Sequence, residues 1–283
     1  MAVVFLATAL TAAHAQEPEK AAPTPSAEAS LSPERSDIAP TTPLTRMASD
    51  AQAERFTEQF ASAFSESRDD LIPDPSPGPP VTKSHFRWSA ALKQSMLFLS
   101  VQHGYALTQP KTRRDLSGKF FKDYARSVRS LHGWGDGGKF FTNYVAHPMQ
   151  GSLMGFVQVQ NDPAGSRLRF GKSPRYWRSR MKAFAWSAAW SAQFEIGPIS
   201  QASIGNVGLH GKQTYVDLVM TPVGGLGLLV VEDALDRYVI EKIERRIHNR
   251  YVRILSRMVL NPTRSSANLL RYKKPWRRDA GLR

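Results

Sequence analysis

Three short motifs in this chain carry the side chains that acid–base or metal chemistry needs. His147 opens the run His147-Pro148-Met149-Gln150-Gly151-Ser152, Glu195 follows Phe194, and Asp217 stands before Thr221-Pro222 and Gly224-Gly225. Glu232-Asp233 closes the set. An imidazole beside two carboxylates supplies a proton-transfer site, or the three donors of a two-carboxylate, one-histidine metal site. The same residues also suit architecture, with His147 capping a helix and Glu195 and Asp217 bonding helix ends or arginines inside a bundle. Ionisable groups embedded in apolar helices lean toward function. The residue pattern names no particular cofactor or metal.

The order of these motifs resembles a bacterial family of exported or membrane-associated proteins, the domain of unknown function 3943 family. That family is marked by a His-Pro-x-x-Gly-Ser box, then a helix ending in an aromatic-Glu pair, then an Asp-x-x-x-Thr-Pro-x-Gly-Gly segment. The resemblance covers roughly Phe141 to Tyr238, and the stretch between Glu195 and Asp217 is long here, holding Gly197, Gly205, Gly208 and Gly211. It implies a helical, envelope-associated architecture and carries no established activity with it.

Several other chemistries are excluded by composition. There is no cysteine, so disulfides, thiolate metal sites and cysteine nucleophiles are absent. Gly133, Gly135 and Gly138 satisfy G-x-G-x-x-G, but helix-like sequence precedes them where a dinucleotide fold needs a strand. No G-x-S-x-G elbow, P-loop or H-E-x-x-H occurs.

The elements that must position the motifs read as helices. Phe86 to His103 and Lys119 to Arg129 are the first two, followed by a glycine-rich loop from Gly133 to Gly138. Pro148 to Gln160 opens with a proline that suits a first turn, although Phe156, Val157 and Val159 also suit a strand. The fourth helix runs from Pro174 to Phe194. The fifth, Tyr215 to Ile240, is the most apolar. The sixth, Glu241 to Leu260, sets Ile243, Ile247, Ile254 and Met258 against five arginines, and Asn261-Pro262 reads as the turn that ends it. Gly151 and Gly155, Ala185 and Ala189, and Gly224, Gly225 and Gly227 predict close approach of helix backbones. The uncharged stretch Leu218 to Val231 gives about 21 Å of helix against a hydrocarbon core of about 30 Å, and Asp217 and Glu232 bracket it. That favours a buried core helix or a re-entrant hairpin over a single crossing.

The N-terminal part reads as export and spacing. Met1 to Ala15 carries an apolar run ending in Ala13-His14-Ala15, which predicts a signal peptide cleaved after Ala15. Residues 16–80 are poor in apolar side chains and predict a disordered linker, with one short helix aligned by Phe56, Phe60 and Phe64 and a proline-rich end at Pro73 to Pro80. The linker holds five Lys/Arg and twelve Asp/Glu, leaving 33 against 12 for residues 81–283. The folded part is therefore strongly basic. With the aromatic and cationic run Tyr272 to Arg278, it fits anionic lipid or another envelope component, or a solvated basic tail; no nucleic-acid partner is expected outside the cytoplasm. The expectation is an all-α protein of the periplasm or cell envelope. Its compact bundle of about six helices is partly membrane-associated and has a structural or binding role at an anionic surface. The alternative is an enzyme acting on lipid or cell-wall material through His147, Glu195 and Asp217.

Overall fold

In a computed structural model the chain is described over residues 85–116, 119–134, 140–205 and 214–279, and every regular element there is helical. The expected leader and linker lie outside the described residues. In chain order the helices are α1 (Trp88–Thr108), α2 (Pro110–Leu116), α3 (Phe120–Arg129), α4 (His147–Asn161), α5 (Pro174–Ile196), α6 (Tyr215–Leu235), α7 (Glu241–Arg246), α8 (Arg250–Leu260) and α9 (Pro262–Leu270). π-helical turns at Thr142–Ala146 and Asp236–Ile240 lead into α4 and out of α6.

α4 is the central helix, buried along nearly its whole length, which settles the helix-or-strand ambiguity of Pro148 to Gln160. It runs parallel to α6 at backbone contact. A Cβ on Gly151 would lie 1.7 Å from the Thr221 carbonyl oxygen, and one on Gly225 only 2.6 Å from the Gly151 carbonyl carbon. Glycine is required at both positions because no side chain fits between the helices. Farther along, a Cβ on Gly155 would meet Leu229 at 2.7 Å. The other small residues behave differently: Gly227 faces open space, and Ala185 and Ala189 are exposed. Ala183 is the α5 residue that packs against Gly155.

α5 returns antiparallel to both. Pro174 opens it, and the Ser173 side chain caps it by accepting from the Tyr176 N–H. α1 lies parallel to α5, with Phe98 stacked on Trp190 at 5.4 Å, and Arg87 N–H ties its start to the Asn161 carbonyl at the end of α4. These aromatics, with Leu153, Phe156, Val157 and Leu229, make up the core.

Around this apolar core, several polar side chains are buried and several apolar ones face outward. Gln94, Gln102, Gln150, Gln158 and Gln160 are inside, while Leu92, Met96, Val101, Val219, Val223 and Val231 are exposed. The helical run Tyr215–Arg246 is 32 residues, long and apolar enough to cross a membrane, yet only 33% of its most apolar window is buried. α6 is therefore a continuous helix and neither a hairpin nor the buried core helix expected from its sequence.

The C-terminal third also departs from the sequence expectation. The sixth helix is interrupted at Ile247–Asn249, because Asn249 caps α8 by accepting from the Tyr251 and Val252 N–H groups. Pro262 does more than end a helix: it opens α9. α8 presents Tyr251, Val252, Leu255 and Val259 outward, whereas Arg257 turns inward to Glu244. Nor is Tyr272 to Arg278 a loose basic tail. Trp276 is buried, its carbonyl accepts from Arg257, and Arg278 pairs with Asp236 and Glu244.

Candidate functional site

The starts of α4 and α6 and the end of α5 meet at one end of the bundle. Their parallel and antiparallel directions bring His147, Asp217 and Glu195 together although they are far apart in sequence. His147 Nε2 lies 3.3 Å from Asp217 Oδ1, and its Nδ1 lies 3.9 Å from Glu195 Oε1. One donor atom from each of the three falls within 4.8 Å of the other two. All three residues singled out in sequence are thus assembled. His147 and Glu195 are buried, whereas the Asp217 side chain is 24% exposed and forms the open side of the cluster.

Thr221 completes the arrangement, and its role is not evident from motif order alone. Its hydroxyl donates to the Asp217 carbonyl at 2.7 Å and lies 3.0 Å from His147 Nδ1. A hydroxyl carries one proton. With that proton donated to the Asp217 carbonyl, its oxygen accepts from Nδ1–H in the tautomer that leaves the Nε2 lone pair facing Asp217 Oδ1; in the other tautomer Nε2–H points at that carboxylate instead. The signal was available in the spacing, because Thr221 sits four residues after Asp217 on one helical face.

Burial pushes the His147 pKa below its ordinary value, with the Asp217 charge opposing more weakly. The imidazole is therefore neutral at pH 7, the form a general base or metal ligand requires. Locally, the π-helical turn Thr142–Ala146 runs straight into His147, and such turns recur at functional sites. Gly133, at φ +69°, starts the glycine-rich loop and accepts from the Tyr215 N–H at 3.2 Å, tying that loop to the start of α6. Helix α3 precedes it, so the glycines lack the strand that a dinucleotide fold needs.

Glu232 and Asp233, the last pair picked out by sequence, lie at the opposite end of α6 and do not join the cluster. Glu232 caps α9, accepting from the Thr263 N–H at 3.0 Å, the Thr263 hydroxyl at 2.7 Å and the Arg264 N–H at 3.1 Å. Burial nevertheless raises its pKa to about 7 against those bonds. Asp233 accepts from Arg180 at 2.7 Å and Tyr176 at 2.9 Å and also pairs with Arg264. These are structural groups. Compared with family models, curated proteins and solved structures, the chain matches none.

Proposed function

We propose that this chain is an envelope protein seated partly in an anionic membrane, with a structural or binding role at that surface. The observation that carries the reading is a belt free of Asp, Glu, Lys and Arg. It covers residues 94–108 of α1, 148–161 of α4, 183–194 of α5 and 218–231 of α6. Each segment gives about 18 to 22 Å of helix, short of the ~30 Å hydrocarbon core, so partial immersion fits better than a full crossing. Exposed aromatics flank the belt, with Trp88, Trp177 and Tyr238 toward one end and Phe140, Phe141 and Tyr215 toward the other. Amphipathic aromatics favour that depth. Arg175, Arg178, Lys182 and Arg237 stand at the same end as the first group, outside the uncharged segments, where head-group phosphates would lie. Resemblance to an exported bacterial family supports the same reading.

Fractionation tests it. The expected result is recovery with membranes at both low and high salt, and release by detergent. Recovery wholly in the soluble periplasmic fraction at both salt concentrations rejects the reading.

A second reading, an enzyme acting on lipid or cell-wall material, is favoured by where the His147 cluster sits. His147, Glu195 and Asp217 each border an uncharged segment, which in the proposed seating would set them near lipid ester and phosphate groups. Alanine variants that retain helical content should lose turnover of lipid or cell-wall substrates; retained turnover rejects this role.

A further inference from the structure

We propose that His147 Nε2 and the carboxylates of Asp217 and Glu195 bind a single divalent transition-metal ion of the Mn2+, Fe2+, Co2+ or Zn2+ class. The proposal stands apart from the membrane reading, since it rests on local geometry alone.

Three observations carry it. First, His147 Nε2 and Asp217 Oδ1 face each other at 3.3 Å, and the Thr221 hydroxyl lies 3.0 Å from Nδ1, where its oxygen can take the ring proton and leave both facing atoms as lone-pair donors. With the proton on Nδ1, a cation between the two atoms is bound by both lone pairs. No other hydrogen-bond donor reaches Asp217 Oδ1 among the described residues. Second, a metal-bound histidine ordinarily donates its remote N–H to a fixed acceptor, which holds the ring and raises its basicity. Thr221 stands where that acceptor is needed, 3.0 Å from Nδ1, with its own hydroxyl donating to the Asp217 carbonyl. Third, one donor atom from each residue lies within 4.8 Å of the other two, against the roughly 3 to 3.5 Å that ligands at about 2.1 Å from a common ion require, and Glu195 Oε1 approaches the ring at Nδ1, 3.9 Å away, so its carboxylate has to swing toward Nε2. Gln150, three residues after His147, is 2% exposed with neither amide atom hydrogen-bonded among the described residues, so further polar capacity lies near the cluster.

Chemical class follows from the donors. An imidazole with two carboxylates suits transition ions, whereas Mg2+ and Ca2+ prefer an all-oxygen shell. The exposed Asp217 edge leaves a side for water or a substrate oxygen to complete the coordination.

The test uses the full chain, purified in detergent without a histidine tag, stripped with chelator and titrated with Co2+ followed optically and with Zn2+ by calorimetry. The expected result is one equivalent bound with a dissociation constant in the micromolar range or below. Asp217→Asn and His147→Gln should each weaken binding by roughly 100-fold or more. Thr221→Val should weaken it by about 10-fold through the ring orientation it sets. Circular dichroism on every variant separates lost binding from lost folding, and Asp217→Asn, at a partly exposed site, serves as the conservative case. Failure of the folded wild type to bind either ion at about 100 μM overturns the proposal. Equal binding by the wild type and Asp217→Asn overturns it as well, since the ion would then sit elsewhere.

Discussion

The two ends of α6 use acidic residues in opposite ways. At its C-terminal end, Asp233 meets Arg180 and Arg264, Asp236 meets Arg264 and Arg278, and Glu244 meets Arg257 and Arg278. Each of these three acids has a cationic partner, while Glu232 beside them is held by hydrogen bonds from Thr263 and the Arg264 N–H. At the N-terminal end the ion-pair partner of Asp217 is His147, an imidazole that burial keeps neutral. The first pattern minimises the cost of burying charge. The second accepts that cost, and sites that tolerate poor electrostatics are where binding or catalysis is found.

That contrast makes graded predictions. The largest effect belongs to Asp233→Ala, which strands the almost fully buried Arg180 guanidinium and should cost about 3 to 5 kcal/mol of stability in denaturant titration. A cost below about 1 kcal/mol would show that the arginine network is not structural.

Next comes pH. Glu232 titrates near 7 in the fold against an ordinary value of 4.5, so the native state holds its proton more tightly than the unfolded chain does. The resulting stability is fully present below about pH 4.5 and is lost as pH rises through about 7, amounting to about 3 kcal/mol. Glu232→Gln should flatten the stability profile between pH 5 and 8. An unchanged slope would assign the titration to another group.

Gly151→Ala should cost about 1 to 3 kcal/mol, because its Cβ has no room beside the Thr221 carbonyl and α4 must move away from α6. It should also weaken whatever His147 and Asp217 bind together. The smallest effect belongs to Asp217→Asn, which removes a charge lacking an arginine or lysine partner among the described residues. Its stability should change by less than about 1 kcal/mol in either direction. A loss as large as that of Asp233→Ala would erase the distinction between the two ends.

Much of this architecture was legible in the sequence. Helical periodicity located α3, α4, α5 and α6 closely, and the Gly151 and Gly225 contact follows from small residues spaced for close packing. The cluster itself was legible as residue types, since His147, Glu195 and Asp217 stand out against apolar surroundings. Their meeting was not, because it depends on α4 and α6 running parallel with α5 reversed, which no local pattern encodes. Two misreadings share one cause: competing capping signals. Asn249 interrupts an amphipathic stretch that otherwise continues from Glu241 to Leu260, and Pro262 reads equally well as a stop or as a first turn. The arginines of α8 suggested an outward cationic face because charge is usually solvated. Acids arriving from α7 and the π-helical turn draw Arg257 inward instead, and apolar residues take its place outside.

The central claim, that an uncharged belt meets lipid while the helix ends stay in water, is tested most directly by cysteine accessibility, since the chain has no cysteine of its own. Val223→Cys lies in the belt and Lys172→Cys beyond it, both at exposed positions. In lipid vesicles a membrane-impermeant maleimide should label Lys172→Cys readily and leave Val223→Cys protected until detergent is added. Equal labelling of the two positions in vesicles would contradict the account.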